Sequence, residues 1–505
     1  MFVAFVPLLF IEDYIYRHRE TTGPRLLFGL SYLAFFLWNI ITTWWVKNAS
    51  EGGAAMAIFC NALLMCIPIM LYHRTKKRIG EKWGRVLFIC FWISFEFIHN
   101  NWELSWPWLT LGNAFADFPS VVQWYEYTGA FGGSLWILIM NLLIFHFIKG
   151  FREHTKQRKM VSAAIIAGAI LFPLLISAVV ASGVKPAPGD AIEVVAVQPN
   201  IDPYNEKFDA PFEEQLRKML SLAEQKVNDK TDYLIFPETA LTEDIWEATI
   251  AQSGSVQMLR DFMKTYPKLK VVIGASTAKL YNPGDELPMT ARKFINEDSY
   301  YDSYNTALQI DTTRNIQVYH KSKLVPGVEQ LPFPFIFKHL GSIAIDLGGT
   351  TGSLGMQDTR TVFNSADNKT RVAPVVCYES IYGEYVSEYI RNGANFIAII
   401  TNDGWWGDTP GYKQHLKYGR LRAIETRRWI ARSANTGISC FISPAGEILQ
   451  PTQWWTPAVI SQQIYINNEQ TFYTKYGDYI ARAALCIAVA LLIYSLFIRF
   501  RIAKK

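Results

Sequence analysis

The sequence has few cysteines, six in 505 residues, and little excess of charge of either sign. The cysteines show neither a metal-binding spacing nor the density of a disulfide framework, which argues against a zinc-stabilised or disulfide-stabilised fold. Because 49 Lys and Arg are nearly balanced by 44 Asp and Glu, the net charge is only +5. Such a balance does not support nucleic acid as a partner.

Apolar residues are plentiful but unevenly distributed: they make up 50% of the chain, with a mean hydropathy of +0.08. Residues 1–183 are dominated by apolar runs, and residues 479–500 form one more. Residues 190–475 have the composition of a globular α/β domain. This central part, of about 285 residues, is long enough to bury its own core. Its two cysteines, Cys377 and Cys440, could in principle form a disulfide.

Several apolar runs are long enough to cross a bilayer, which takes about 20 mostly apolar residues. These candidate spans are 26–46, 53–72, 83–99, 127–148, 161–182 and 479–498. The opening segment MFVAFVPLLFI is apolar but about half that length. It fits a truncated span, a re-entrant piece or a processed signal, although no A-x-A-like cleavage site follows it.

Lys and Arg concentrate in alternate connections between these spans. The basic connections are 17–25, 73–85, 149–159 and the tail 499–505, whereas 47–53 and 100–108 are not basic. Since positively charged loops remain in the cytoplasm, the central domain is predicted to lie outside, which in a bacterium with two membranes is the periplasm. The N-terminus would then begin outside on a half-length segment, so we expect an upstream span or an earlier start.

Three chemically active residues follow predicted strands of the central domain. Glu238 comes after DYLIF (232–236), Lys321 after QVYH, and Cys377 after RVAPVV (371–376). Ligand sites of α/β sheets tend to lie at strand ends. A thiol becomes nucleophilic on deprotonation, a neighbouring carboxylate can take its proton, and an ammonium can stabilise an oxyanion.

Each of these residues also has an ordinary structural interpretation. A lone cysteine after an apolar strand is usually a small core residue, Glu238 can cap the following turn, and Lys321 belongs to a basic run of the kind that is usually solvated. Taken one at a time, the signals are weak. Their combination, a carboxylate, an ammonium and a thiol in that order along the chain and each at a strand end, favours a catalytic triad, and a nucleophilic Cys377 argues against a disulfide to Cys440.

Motifs over nearly the whole chain share one resemblance. In the central domain they are VAVQPNID (195–202), LIFPETAL (234–241), VIGAS (272–276), YNTAL (304–308), YHKSKLVPGVE (319–329), VCYES (376–380), TNDGWWGD (401–408) and HLKYGRLRAIETRRWIARSANTGIS (415–439). In the apolar half they are FWISFEF (91–97), WPWLTLGNAF (106–115) and YTGAFGGSLWI (127–137). The combination resembles the apolipoprotein N-acyltransferase family of the nitrilase, or carbon–nitrogen hydrolase, superfamily.

This resemblance implies the domain organisation and the fold class. Residues 1–183 would form an α-helical membrane bundle and residues 479–500 a C-terminal transmembrane helix. Residues 190–475 would form an extracytoplasmic α/β catalytic domain with the nitrilase-like αββα sandwich. The protein would be a multi-pass protein of the bacterial inner membrane, and we expect it to be a monomer.

The resemblance also implies roles for individual residues. Glu238 would be the base, Lys321 the oxyanion-stabilising residue and Cys377 the nucleophile. Further family positions that support the site or lie near the reaction centre match Glu329, Tyr378, Glu379 and Trp405. The sequence departs from the family pattern in KLVPGVE (323–329), where Lys323 replaces a histidine and Gly327-Val328 replaces Phe-Gly. That departure leaves the shape of the loop before Glu329 open.

The implied reaction is a two-step acyl transfer that needs no metal or cofactor. Cys377 would take an acyl group from a phospholipid as a thioester, and the N-terminal diacylglyceryl-cysteine of an apolipoprotein would accept it as an amide, the last step of lipoprotein maturation. The apolar segment LPFPFIF (331–337) is too short to be a span, and with Phe333, Phe335 and Ile336 it is predicted to be a mobile, lipid-facing lid. The alternative is that this loop packs on the domain's own core.

Two other functions fit parts of the sequence. A membrane-anchored amidase or nitrilase would use the same triad with water as acceptor, and it would form no acyl-enzyme from a phospholipid. A transporter or sensor with an extracytoplasmic binding domain would keep its function in a Cys377→Ser variant. The predicted spans carry few paired charges or broken helices of the transporter kind.

Overall fold

The computed structural model describes residues 1–184, 190–207, 209–330 and 353–503, with side chains as far as residue 498. It contains two compact units. The first consists of Met1–Lys47, Glu51–Gly183 and Tyr476–Lys505, and the second of Asn48–Ser50 and Val184–Lys475. The predicted lid residues Phe333, Phe335 and Ile336 lie outside the described residues.

The first unit is helical. Its main helices are α1 (Val6–Arg17), α2 (Pro24–Thr43), α3 (Glu51–Ile79), α4 (Glu81–His99), α5 (Tyr125–Gly150), α6 (Lys156–Gly183) and α12 (Tyr479–Ala503). Among the described residues, five helices are long and apolar enough to cross a membrane, and they cover five of the six predicted spans. The sixth predicted span, 83–99, forms α4 but is not one of those five. The opening segment forms α1, a half-length helix with one buried face.

Ion pairs join the basic connections at one end of this unit. Glu12 on α1 accepts hydrogen bonds from His73 (2.8 Å) and Lys76 (2.6 Å) at the end of α3. Lys149, at the end of α5, contacts Asp13 (2.7 Å) and Glu81 (3.0 Å). The carboxylates therefore hold together the ends of α1, α3 and α5 from which the predicted basic connections start.

A buried carboxylate joins helices inside the same unit. Glu96 on α4 accepts hydrogen bonds from the Trp92 indole (3.0 Å), the Leu111 backbone N–H (2.8 Å) and the Ser134 hydroxyl (2.7 Å). Three donors satisfy a carboxylate that is 4% exposed. Glu96 therefore has a structural role, linking α4 to α5 and to the loop between them.

The second unit is an α/β domain with two sheets. The first sheet contains β1 (Ala191–Gln198), β2 (Thr231–Ile235), β3 (Leu241–Trp246), β4 (Lys270–Leu280), β5 (Arg292–Lys293), β6 (Tyr300–Ile310), β7 (Gln317–His320) and β14 (Ala458–Tyr465). Its order is β14-β1-β2-β4-β6-β5, with β3 beside β4 and β7 beside β6. The second sheet contains β8 (Phe363–Asn364), β9 (Arg371–Val376), β10 (Phe396–Thr401), β11 (Ile430–Ala434), β12 (Cys440–Ile442) and β13 (Ile448–Leu449), in the order β13-β12-β11-β10-β9-β8.

The two sheets face each other, and helices cover their outer faces. Across the interface the Ser433 hydroxyl donates to the Val197 carbonyl (2.7 Å), and the rings of Tyr233 and Phe396 meet at 5.0 Å. Two helices, α7 (Phe212–Glu224) and α8 (Gly254–Met263), pack on the first sheet. Two more, α9 (Gly383–Arg391) and α10 (Pro410–Thr426), pack beside the second. This arrangement is the predicted αββα sandwich.

Local sequence patterns account for most of these elements. The unbroken apolar run of β10, FIAIIT, is buried throughout, as a parallel strand covered on both faces should be. The amphipathic pattern of residues 210–229 predicts a helix, and α7 forms there with its apolar side buried. The pattern of residues 380–393 predicts another, but that helix begins only at Gly383, because Cys377–Ile381 forms a separate 3-10 turn. Near the end of the domain, after β14, the chain forms one more short helix, α11 (Phe472–Tyr476).

Candidate active site

Buried charged side chains meet where β2, β7 and β9 end. Lys321 and Cys377 directly follow β7 and β9, and Glu238 stands three residues beyond the end of β2. Glu238 is 7%, Lys321 1% and Cys377 8% exposed. The three residues predicted from strand ends are thus all buried, and charges on Glu238 and Lys321 act on the Cys377 thiol.

One ammonium bridges two carboxylates in this site. Lys321 Nζ donates to Glu238 Oε1 and to Glu329 Oε1, at 2.9 Å each. The Asn305 amide also bridges them, donating to Glu238 at 2.8 Å and to Glu329 at 3.0 Å. The second oxygen of Glu238 accepts from the Asn402 backbone N–H at 3.0 Å. Hydrogen bonds therefore fix both the position and the orientation of the Glu238 carboxylate.

These contacts also set the protonation states of the pair. Burial opposes the charged form of Glu238, but the Lys321 ammonium and its hydrogen bonds lower the pKa of the carboxyl below its ordinary value. Burial likewise opposes the charged form of Lys321, but the carboxylates of Glu238 and Glu329 raise its pKa well above the ordinary value. The pair is accordingly ionised around neutral pH.

Cys377 occupies an unusual backbone conformation at the start of its 3-10 turn. Its φ is +49°, in the left-handed region that costs a residue with a side chain about 1 kcal/mol. Burial raises the pKa of its thiol, and the charge of Glu238 adds to the rise, while Lys321 opposes it. At rest the group is therefore a thiol rather than a thiolate, and it requires a base to remove its proton.

Glu379 connects the segments that carry Cys377 and Lys321. It is fully buried, and its Oε1 accepts from the Ser322 backbone N–H at 2.8 Å. The hydroxyls of Tyr319 and Tyr385 donate to the same oxygen at 2.6 Å each. Its Oε2 accepts from the Val376 backbone N–H at 2.9 Å. Because Ser322 follows Lys321 and Val376 precedes Cys377, one carboxylate fixes the backbone beside both of these residues.

The loop before Glu329, left open by the sequence, is a compact turn. Gly327 adopts φ +81°, which a glycine accommodates without strain, and its N–H donates to the Gln330 carbonyl (2.8 Å). The turn brings Glu329 back so that its Oε2 accepts from the Val325 N–H at 2.8 Å. Lys323, in place of the family histidine, lies over the Tyr382 ring at 4.9 Å. The departure from the family pattern therefore leaves Glu329 in contact with Lys321.

The aromatic residues predicted near the reaction centre have different environments. Tyr378 is buried, with its ring edge-on to Tyr382 at 5.3 Å. Trp405 is half-buried and packs edge-to-face on Tyr204 at 5.1 Å, whereas the adjacent Trp406 packs on His415 at 5.5 Å.

Two adjacent tryptophans also follow β13: Trp454 stacks on Tyr412 at 4.0 Å, and Trp455 is 40% exposed. One of these two side chains packs on the domain itself, and the other is partly open to the surroundings.

Two residues of the site lay outside the sequence prediction. Asn305, in the middle of β6, bridges both carboxylates, and only its position in the YNTAL motif marked it. Lys207 is 4% exposed and donates a hydrogen bond to the Thr239 hydroxyl, next to Glu238. Burial lowers the pKa of Lys207 to about 8, although Glu238 and Cys377 favour its charged form. Its turn, PYNEKFD, has the polar composition of an ordinary surface loop.

Cys377 also belongs to a second group of buried residues. Cys377, Asp403 and His415, here called the Cys–Asp–His cluster, each place one atom able to bind a metal within 4.8 Å of the others. Thiol, carboxylate and imidazole are all zinc ligands. However, Asp403 is already engaged by Arg432 at 2.5 Å, and both His415 nitrogens contact neighbouring groups. In this structure the carboxylate and the imidazole therefore act as hydrogen-bonding groups. Cys377 and Cys440 are both free thiols.

Comparison with known proteins places this fold and site in a family. The carbon-nitrogen hydrolase family model matches residues 193–472, which with the two-sheet domain defines a member of the carbon–nitrogen hydrolase (nitrilase) superfamily. The model of the apolipoprotein N-acyltransferase N-terminal domain matches residues 1–143.

The apolipoprotein N-acyltransferase of Chlorobaculum tepidum is 30% identical over 96% of this chain and 90% of its own length. That of Geobacter metallireducens is 25% identical over 98% and 90%. The chain belongs to the apolipoprotein N-acyltransferase family, a family of membrane-bound acyltransferases within this superfamily.

Solved structures resemble the second unit at low sequence identity. An amidase from Nesterenkonia sp. is 14% identical, with a TM-score of 0.37 over 56% of this chain and 93% of its own. Nit3 of Saccharomyces cerevisiae is also 14% identical, with a TM-score of 0.39 over 56% and 92%. The sequence prediction of a nitrilase-like enzyme with membrane helices is confirmed by the family matches.

Proposed function

We propose that this enzyme transfers an acyl chain from a phospholipid to the N-terminal amine of a diacylglyceryl-modified apolipoprotein through a thioester on Cys377. The observation that carries the proposal is the ionised Glu238–Lys321 pair acting on a buried thiol. That pair belongs to a chain whose apolar helices give it access to lipid. No metal or cofactor is required, because a base, a cation and a nucleophile are all supplied by side chains.

In the first half-reaction, the Cys377 sulfur attacks the ester carbonyl while its proton passes to Glu238. The raised pKa of the thiol and the lowered pKa of the carboxyl make this transfer unfavourable by itself, so it accompanies formation of the C–S bond. Lys321 stabilises the negative oxygen of the tetrahedral intermediate. The C–O bond then breaks, Glu238 returns the proton to the leaving alkoxide, and a lysophospholipid departs.

In the second half-reaction, the apolipoprotein amine attacks the thioester carbonyl. A proton passes from the nitrogen to Glu238, the C–S bond breaks, and the proton restores the Cys377 thiol as the amide is formed. The supporting residues keep this geometry: Glu329 is a second carboxylate that holds the Lys321 ammonium, and Glu379 fixes the segments that carry Lys321 and Cys377. Because the lysophospholipid leaves before the amine reacts with the thioester, the two steps give ping-pong kinetics.

We further propose that the catalytic domain is periplasmic and the enzyme is a multi-pass protein of the bacterial inner membrane. The basic connections, joined at one end of the helical unit, support a cytoplasmic position for that end. Exposed apolar side chains along α6, including Leu171, Phe172, Leu175 and Val179, suit contact with lipid. A phospholipid donor is then supplied by the membrane in which the helices lie.

Intact-mass analysis after incubation with a phospholipid tests the nucleophile and the donor together. The wild type is expected to gain one acyl chain, and the adduct should be absent from Cys377→Ala. Cys440→Ala is the matched control, since it removes the other buried thiol of the same domain and should retain the adduct. An adduct that persists in Cys377→Ala, or a wild type that gains none, would contradict the proposal.

Addition of a peptide with an N-terminal diacylglyceryl-cysteine tests the acceptor. The adduct on Cys377 should disappear as an N-acylated peptide forms. If the adduct instead decays at the same rate without peptide and releases free fatty acid, the enzyme is a hydrolase.

A further inference from the structure

A buried hydrogen-bond chain leads from Asp403 to the backbone of the nucleophile. His415 Nδ1 lies 2.9 Å from Asp403 Oδ1, and His415 Nε2 lies 3.1 Å from the Cys377 carbonyl oxygen. The Ser380 hydroxyl donates to the same carbonyl at 2.7 Å and lies 2.9 Å from His415 Nε2. The side chains of Ser380, Asp403 and His415 are all fully buried.

The hydrogen bond to the backbone has one possible direction. A peptide carbonyl has no proton, so Nε2–H must be the donor to the Cys377 oxygen. On the other side of the ring, Nδ1 lies 2.9 Å from Asp403 Oδ1 and 3.2 Å from Arg432 Nη2, and Asp403 is itself held by the Arg432 guanidinium at 2.5 Å and by the Thr401 hydroxyl at 2.8 Å. Burial opposes the ionised form of Asp403, but Arg432 and His415 lower its pKa to about 2. The imidazole is thereby fixed in position and in orientation.

The anchored carbonyl belongs to a residue whose conformation needs support. Cys377 has φ +49°, and neighbouring structure must hold a residue with a side chain in that region. Two donors on one carbonyl do so, because they fix the peptide plane that follows the nucleophile. The same plane carries the Tyr378 N–H on its opposite edge, so its direction is fixed as well.

We propose that His415, oriented by Asp403, is a positioning residue for acyl transfer: with Ser380 it holds the Cys377 carbonyl and so maintains the backbone conformation from which the thiol attacks. The inference rests on the proposed role of Cys377 as nucleophile. His415 does not touch the substrate in this account, and it acts through the chain of Cys377.

Two substitutions of His415 separate its two hydrogen bonds. The side-chain nitrogen of Gln can replace Nε2, so His415→Gln should keep the donor to Cys377 and lose the contact with Asp403. The side-chain nitrogen of Asn can replace Nδ1 only, so His415→Asn should lose the donor to Cys377. Each variant of the full-length enzyme in detergent is mixed with phosphatidylethanolamine, and the rate of thioester formation is followed by intact mass.

We expect His415→Gln to remain within about threefold of the wild type and His415→Asn to fall about 100-fold, a loss of the size that misplacement of a reacting group causes. The phospholipid concentration for half-maximal rate should stay the same, because substrate binding is not altered. Equal rates for the two variants, whether both normal or both slow, would overturn the inference. A wild type without any adduct would instead refute Cys377 as the nucleophile.

A second pair of variants keeps the test usable if His415 variants do not fold. Ser380→Ala removes the hydroxyl that donates a hydrogen bond to the Cys377 carbonyl. Ser387→Ala, on α9, removes an equally buried hydroxyl that has no hydrogen-bond partner among the described residues. Ser380→Ala should slow thioester formation about tenfold, in line with the loss of one of two donors, and Ser387→Ala should not. Equal rates for these two variants would also overturn the inference.

Discussion

Replacement of Glu379 by Gln is expected to impair both folding and catalysis. Among the short contacts, the new amide group can face one donor or three, since Oε2 receives the Val376 N–H and Oε1 receives Ser322, Tyr319 and Tyr385. Two longer contacts, each of 3.4 Å, add the Tyr389 hydroxyl at Oε2 and the Lys323 N–H at Oε1. The NH2 group of the new Gln side chain should therefore take the Oε2 position, where it faces fewer hydrogen-bond donors. The Val376 N–H, directly before the nucleophile, then loses its acceptor.

The size of the effect can be worked from these contacts. A buried N–H without an acceptor costs about 2 kcal/mol, and three hydrogen bonds that lose their charge assistance cost about 1 kcal/mol each. Removing a buried charge recovers about 2 kcal/mol of desolvation. The net loss is about 3 kcal/mol, or a fall of about 5–10 °C in the unfolding midpoint. Because the strand before Cys377 shifts, thioester formation should also fall about 100-fold.

Glu243→Gln is the matched control for this change. Glu243 accepts from the backbone N–H groups of Gly254 (2.9 Å) and Ser255 (3.0 Å) and from the Ser255 hydroxyl (2.6 Å), at the start of α8. It should lose a comparable number of charge-assisted hydrogen bonds without moving the nucleophile. Thermal unfolding and intact-mass kinetics are measured on both variants. If Glu379→Gln slows the reaction no more than Glu243→Gln does, the positioning role is refuted.

Three further predictions concern pH, metals and topology. Lys207 should lose its proton near pH 8, which removes a positive charge beside Glu238. This loss raises the energy of the negatively charged thiolate and oxyanion. Thioester formation should therefore decline above pH 8 in the wild type. Lys207→Met should be slow and lack this decline, whereas the exposed-site control Lys230→Met should keep the wild-type pH profile. Chelator treatment should leave the rate unchanged, since hydrogen bonds occupy the carboxylate and imidazole of the Cys–Asp–His cluster; activity that zinc restores would contradict this. Alkaline phosphatase fused after Val184 should be active and after Phe151 inactive, and the reverse pattern would invert the proposed topology.

The position of these three residues at strand ends could be predicted because it depends on local patterns. An apolar strand is followed by a polar residue at its end, and the short-range periodicity locates both. Thus Glu238, Lys321 and Cys377 could be identified, and the structure buries all three. Their pairing could not be identified in this way, since Glu238 and Lys321 are 83 residues apart and only the sheet order brings them together.

The polar residues that support the site were harder to predict. His415 lies on α10 among Lys and Arg residues and resembles a solvent-facing position, yet it is fully buried. The strand β11 is buried at every position. Because it carries the charged Arg432, its sequence does not have the apolar pattern of a buried strand. Such residues are buried only because partners from distant segments satisfy them, and hydropathy records nothing about those partners.

Local patterns are enough to predict the division into apolar helices and an α/β domain, the basic connections and the strand-end trio, because each depends on residues near in the chain. Contacts between distant segments establish which charges are paired, that Lys207 and Asn305 join the site, and that Cys377 takes a left-handed backbone supported from Asp403 through His415. These features depend on burial and on contacts between distant segments, which remove water and so set the protonation and direction of each group.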